Sequence, residues 1–310
     1  MILIGTDEAG YGPNLGPLTI AATAWRVPDG LGEIDLYDAM ADAVCRDGGD
    51  MAGHIAIADS KQLYKPGGTL ACLECAVHGA LNVLGQPRST WREVFTGLPP
   101  SRWYQSYDEP LPVDATDEEI RGATQSLQRA LGSAQVELLD LQVAAIFPAE
   151  FNCRVRALGS KGSLLTERTL QLVERVLSHC PSGDVLVCCD KHGGRNRYAA
   201  ALQHVWPEGW IHIGGESRAC SEYRLGVAGR DVQFRFAAGG ESQLPSALAS
   251  MAAKYQRELA MRAFNAYWQQ HVENLRPTAG YPMDAKRFKR DIESVQRELN
   301  IDDDDLWRCK

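Results

Sequence analysis

Four acids fall where strands are expected to end or glycine turns to begin: Asp7 and Glu8 after MILIGT, Asp190 after VLVCC, and Glu241 after FRFAAGG. An ionised acid at the tip of a buried strand needs a partner, because burying it unpaired is costly. Carboxylates gathered in space suit hard divalent cations such as Mg²⁺ or Mn²⁺. Two such ions about 3.5–4 Å apart can activate a water and stabilise the leaving oxygen in phosphodiester cleavage. Each acid also has a plainer reading. Asp7 suits a turn, Glu8 a surface, Asp190 the cap of the segment beginning at Lys191, and Glu241 the positive end of a helix. Spacing alone does not bring the four together, and Glu216, in the earlier of two GGES tetrapeptides, is the alternative to Glu241. Asp7 and Glu8 are adjacent like charges among Gly5, Gly10 and Gly12, which calls for compensation.

Basic residues follow the third acid. DKHGGRNRY places Lys191, His192, Arg195 and Arg197 beside Asp190, and SEYRLGVAGR adds Arg224 and Arg230, a set able to draw phosphates locally. A solvated glycine loop is the bland alternative. The imidazole of His192 suits protonation of a leaving group near neutral pH.

The elements that must position these groups read as an α/β alternation. MILIGTDEAG and GPLTIAATAWRV form a hairpin with the acids at its rim, and IADSKQL leads into the helix TLACLECAVHGALNVL. AQVELLDLQVAAIF is a strand, SKGSLLTERTLQLVERVLSH a helix, and GDVLVCCDKHGG a buried strand ending on Asp190. GWIHIGG, SEYRLGVA and DVQFRFAAGG are short strands, followed by a long helix from Leu244 and a last helix, MDAKRFKRDIESVQREL. Residues 86–135, rich in proline, aromatics and acids, read as an insertion or lid rather than core. The acidic tail NIDDDDLWRCK reads as a solvated terminus, with metal binding by Asp302–Asp305 a distant second option.

The formal net charge of −8 is the wrong sign for coating nucleic acid by bulk attraction, so nucleic-acid binding must rest on local basic residues or bound cations. Nine scattered cysteines are expected as reduced thiols in a cytoplasmic setting, and Cys72-x-x-Cys75 has no second pair at zinc-site spacing. No run approaches the ~18 apolar residues of a membrane-spanning helix, and the strand at the very start leaves no room for a targeting peptide.

Six blocks in order resemble ribonucleases HII and HIII, the type 2 ribonucleases H: GTDEAGYGPNLGPLTIAA, IADSKQL, AAIFPAEFN, VLVCCD, GGESQLPSALASMAAKYQRELAM and AGYPMDAKRF. The resemblance covers roughly 1–26, 57–84 and 136–296. It implies a single RNase H-like domain over 1–310, a mixed β-sheet flanked by helices, with an inserted segment at about 86–135 and a C-terminal helical extension at about 272–310. It also implies metal-dependent hydrolysis, with Mg²⁺ or Mn²⁺, of the RNA strand of RNA·DNA hybrids or of ribonucleotides embedded in duplex DNA.

Carried over by position, the resemblance makes Asp7, Glu8, Asp190 and Glu241 the metal-binding, catalytic acids. It makes Asp59, Ser60 and Lys61 a substrate-side loop, with Ser250 and Lys254 on a helix facing the nucleic-acid backbone and Tyr281 stacking near the ribonucleotide. Gly10, Tyr11, Gly12, Lys191 and Arg195 complete the expected substrate contacts. A 2′-hydroxyl distinguishes RNA from DNA at such a site. Three positions depart from the family pattern: Tyr11 stands where a cation is usual, Glu241 replaces Asp, and Glu258 replaces Asp. Two other readings are a catalytically weakened nucleic-acid-binding protein and an RNase H-like nuclease acting on branched DNA.

Overall fold

Leu18–Arg26 is buried along nearly its whole length, which a strand achieves only when both faces of its sheet are covered. The computed structural model describes residues 1–28, 35–46, 53–95, 97–239 and 243–309. Its strands are β1 (Ile2–Ala9), β2 (Leu18–Arg26), β3 (Val44–Cys45), β4 (Ile55–Ala56), β5 (Glu137–Ile146), β6 (Val185–Asp190), β7 (His212–Glu216), β8 (Cys220–Val227) and β9 (Arg230–Ala237). The helices are α1 (Leu36–Ala39), α2 (Ser60–Leu63), α3 (Ala71–Val83), α4 (Trp91–Val94), α5 (Arg102–Gln105), α6 (Asp117–Ala134), α7 (Pro148–Leu158), α8 (Lys161–His179), α9 (Ala199–Val205), α10 (Leu244–His271), α11 (Pro282–Glu298) and α12 (Asp303–Leu306).

Seven strands form one mixed sheet in the order β5-β2-β1-β6-β9-β8-β7. β2 pairs antiparallel with both β5 and β1, β6 and β9 lie parallel to β1, and β8 and β7 continue antiparallel, each to its neighbour. This is the mixed sheet with flanking helices expected from the sequence. One core packs α3, α10 and the surrounding aromatics on one face; the other joins α7, α8 and α9 to the opposite face.

α10 is buried nearly all round, as a central helix must be. Its first turn crosses β1 at Gly5, where an added Cβ would lie 2.3 Å from the Pro245 carbonyl carbon and the Ser246 nitrogen. Gly5 is therefore required by close backbone approach, and the crossing lays α10 over the β1 face on which residue 7 also lies.

Two expectations are corrected here. The 86–135 segment is not a lid: Trp91, Trp103 and Tyr104 are buried in the α3–α10 core. Trp91 donates from Nε1 to the Leu259 carbonyl at 2.9 Å, and the rings of Trp103 and Phe264 meet edge to face. Proline and acid content reflected the turns of this segment, while its aromatics supplied the burial. The acidic tail is not a solvated terminus either. Asp302 caps α12 by accepting from the Asp304 amide, Asp303 pairs with Lys289, Asp304 pairs with Arg156, and Leu306 and Arg308 are buried. Asp302 is spent on a cap and Asp303 and Asp304 on ion pairs, and Trp307 forms an antiparallel bridge with Leu15.

Candidate active site

Asp7 and Glu8 lie inside β1 rather than in the turn after it, opposite Ala21 and Ile20 of β2. Successive strand residues point to opposite faces, so the two adjacent acids are separated by the sheet itself, which resolves their apparent repulsion. Asp7 shares its face with Leu3 and Gly5, beneath α10. β1 and β6 are parallel with Thr6 opposite Cys189, so the next rung sets Asp7 beside Asp190 on strands about 4.8 Å apart. Val187 and Cys189 face the α7–α9 core, and the alternation therefore sends Asp190 to the α10 face with Asp7. Asp190 Oδ1 accepts from the Gly239 amide at 3.1 Å.

Around Asp7, α10 and α2 supply a buried polar knot. Ser250 Oγ lies 3.0 Å from Ser60 Oγ, accepts from the Ser60 amide at 3.2 Å, and lies 3.2 Å from Asp59 Oδ1. Asp59 caps α2 by accepting from the Lys61 amide, with the Lys61 ammonium 3.9 Å from its other oxygen. Burial is the largest influence on Asp7 and pushes its carboxyl from 3.8 up to about 7; hydrogen bonding from Ser250 and the charge of Lys61 oppose the rise, and Asp59 adds to it. A carboxylate so desolvated is a poor anion alone and a good one beside a cation. With Asp190 it offers an all-oxygen donor set, the kind that Mg²⁺ or Mn²⁺ completes with water. Among the described residues no three His, Cys, Asp or Glu side chains converge into a ready metal-binding group, and Glu241 lies outside the described residues.

Glu216 does not replace it. Its carboxylate accepts from the Tyr223 hydroxyl at 2.5 Å and faces Arg197 at 3.5 Å. It also sits three strands from β6, about 14 Å away, beyond any shared metal pair.

Tyr11 is half-buried against the loop after β6. A Cβ added at Gly193 would lie 2.7 Å from its hydroxyl, one at Gly162 would lie 3.6 Å away, and Lys161 Nζ stands 4.6 Å from its ring centre. Burial first, then the charge of Glu8, raises its phenol. Tyr11 thus wedges the glycine loop against α8. Gly10 adopts φ +85°, and a Cβ there would strike Arg257.

The basic loop contributes less free charge than its composition suggests. Lys191 Nζ donates to the Ser217 carbonyl, Ser221 Oγ and Asn196 Oδ1, and desolvation lowers its pKa. Arg195 donates to Ser163 Oγ at 2.8 Å. His192 is buried, 3.1 Å from Thr166 Oγ1, and burial pushes it down to about 3. A neutral, enclosed imidazole is not a proton donor to a leaving group, so that expectation is withdrawn.

Arg224 and Arg230 do not join the site. Arg224 grips Asp231, while Arg230 donates to the carbonyls of Leu177 and Cys180 at the start of β9, the opposite end of the sheet from Asp190. Lys254 is held by Glu258 at 2.5 Å and lies over the Tyr64 ring, so it faces the protein more than a backbone of phosphates. Tyr281, by contrast, is 48 % exposed at the start of α11, open to stacking.

Residues 10–17 are secured by side chains that the sequence did not point to. Arg257 donates to the carbonyls of Pro17, Leu15 and Ala279, and Arg308 to those of Gly10 and Pro13. The only hint was Arg257 standing beside Glu258 in a resembling block; Arg308 gave none.

No protein-family model matches the chain, and no curated protein matches it. Among solved structures it is similar to ribonuclease H2 from Pyrococcus horikoshii OT3, with 16% identity and TM-score 0.46 over 99% of this chain and 92% of that one. It is also similar to RNase HII of Archaeoglobus fulgidus, solved in complex with PCNA, with 15% identity and TM-score 0.43 over 100% and 95% of the two chains. A third similar structure is Bst-RNase HIII in complex with Mn²⁺, at 15% identity and TM-score 0.42, over 99% and 66%. None of the nine cysteines forms a disulfide, and among the described residues no helix is long and apolar enough to cross a membrane.

Proposed function

We propose that this chain is a divalent-metal-dependent nuclease that hydrolyses the RNA strand of RNA·DNA hybrids or the backbone at ribonucleotides embedded in duplex DNA. The observation that carries the reading is Asp7 and Asp190 on adjacent parallel strand ends and one face, with Asp7 too desolvated to ionise readily without a cation. Asp7 and Asp190 would hold Mg²⁺ or Mn²⁺, with Glu241 as a further acid of the resemblance, while strand alternation sends Glu8 to the other face. Such an ion supplies an activated water and charge stabilisation at the phosphodiester.

The chain's own groups do the remaining work. Ser250 ties Asp7 to the Asp59 loop and fixes where the carboxylate sits. Lys61, whose side chain is 77% exposed, brings a cation to the edge of the acids. The amides of the Gly10–Gly12 loop supply donors for a sugar hydroxyl, and Tyr281 supplies an aromatic face.

The test is cleavage, with Mg²⁺ or Mn²⁺, of three labelled duplexes: one holding a single ribonucleotide, one RNA·DNA hybrid and one all-DNA. Cutting of a ribonucleotide substrate, abolished by Asp7→Asn and Asp190→Asn, is expected. Binding without cutting by folded protein would leave a nucleic-acid-binding module instead, and cutting of the all-DNA duplex alone would overturn the substrate.

A further inference from the structure

Arg308 is 1% exposed and has no carboxylate partner among the described residues: Nη2 donates to the Gly10 carbonyl at 2.7 Å and to the Pro13 carbonyl, while Nε and Nη1 are buried without acceptors there. Its guanidinium lies 4.7 Å from the Phe151 ring centre, and burial lowers its pKa well below the usual value, with the nearby Arg257 lowering it further. Stability alone argues against two neighbouring buried cations that meet only neutral carbonyls. What the pair accomplishes is geometric, because between them the two arginines fasten four carbonyls of residues 10–17.

The rest of the C-terminal segment serves the same end. Asn152 donates to the Trp307 carbonyl at 2.8 Å and accepts from the Cys309 amide at 2.7 Å, so α7 grips the strand on both sides of Arg308. The Arg308 amide donates to the Asn14 carbonyl at 2.8 Å.

In a planar trans peptide the carbonyl and the following amide point in opposite directions. Turning the Gly10 carbonyl inward onto Arg308 therefore turns the Tyr11 amide outward, and no described residue accepts from it. We infer that Arg308 is a positioning residue for the Tyr11 amide, holding it as a ready donor beside the end of β1 for the sugar hydroxyl of the substrate. The inference rests on the ribonucleotide reading above and names the part of the chain that sets that specificity. A lysine ammonium at 308 has enough donors for both carbonyls and leaves no orphaned guanidinium nitrogen, whereas methionine has none.

The experiment compares wild type, Arg308→Lys and Arg308→Met, each shown to be folded by its denaturant transition. ¹⁵N-labelled protein reports the Tyr11 and Gly12 amides, and binding is measured, without divalent metal, to duplexes with and without one ribonucleotide. Arg308→Met is expected to shift or broaden the Tyr11 amide resonance and to lose about tenfold of the preference for the ribonucleotide duplex, the worth of one hydrogen bond, with all-DNA affinity unchanged. Arg308→Lys is expected to restore both. An unchanged Tyr11 amide in Arg308→Met overturns the positioning role, and a moved amide with the preference intact overturns the sugar-reading role. If wild type itself shows no preference, the substrate reading fails, while the amide comparison still decides what Arg308 does.

Discussion

Replacing Asp7 by asparagine should make the metal-free protein more stable while abolishing its activity. The folded state holds the Asp7 proton up to about pH 7, whereas the unfolded chain releases it near 3.8. Between those values the native state binds more protons, so wild-type stability falls as pH rises through the window and is level above it. At 1.36 kcal/mol per unit, the full span amounts to about 4 kcal/mol, and the part between pH 5 and pH 7 to about 3 kcal/mol. Asparagine keeps the size of the side chain and an acceptor for Ser250 but has nothing to ionise. Urea unfolding of wild type and Asp7→Asn at pH 5 and pH 8, in chelator, reads the difference directly. The variant should gain on wild type by about 3 kcal/mol between the two pH values. Added Mg²⁺ or Mn²⁺ should stabilise only the wild type strongly, by about 1.4 kcal/mol at ten times its dissociation constant. A stability gap that does not change with pH, or a variant less stable than wild type at pH 8 without metal, would refute the argument that burial dominates at this carboxyl.

Trp91→Ala should cost about 3–5 kcal/mol in chemical denaturation, since it empties a fully buried site and removes the indole donor to the Leu259 carbonyl; a loss near zero would return the 86–135 segment to the surface. The His192 ring should show no NMR titration between pH 5 and 8, because burial holds it neutral down to about 3. Its contribution to stability is thus present above the unfolded value of 6.5 and lost as pH falls below it; an inflection near 6.5 would place the ring in solvent. Gly193→Ala should destabilise by about 1–3 kcal/mol, through its φ of +59° and the Tyr11 hydroxyl 2.7 Å from the new Cβ. Tyr11→Phe should recover part of that loss but not the backbone strain, and a double-mutant cycle with no coupling would show that the wedge does not exist.

The strands and helices were legible because their signals are local. VLVCCD, the 161–179 helix and the long helix from Leu244 each carry a period or an apolar run that survives without context. The acids were legible as types, and Asp7 and Asp190 as strand-end residues. Composition misled where function and packing use the same residues: the aromatics of 86–135 look like a variable loop until α3 and α10 are there to bury them. The basic cluster after Asp190 misled for the converse reason, since two of the three Lys191 acceptors, Ser217 and Ser221, lie 26 and 30 residues further along the chain.

By itself, the sequence determined that this is an alternating α/β chain carrying paired acids and glycines at the end of its first strand, because strand and helix periods are properties of neighbours in the chain. Only the tertiary structure decided which acids meet. Strand alternation parts Asp7 from Glu8, although they are adjacent, and the parallel register of β1 and β6 joins Asp7 to Asp190 across more than 180 residues. It likewise decided that residue 308 reaches residue 10, a contact with no local signal, because what a buried guanidinium needs is set by the surroundings into which folding brings it.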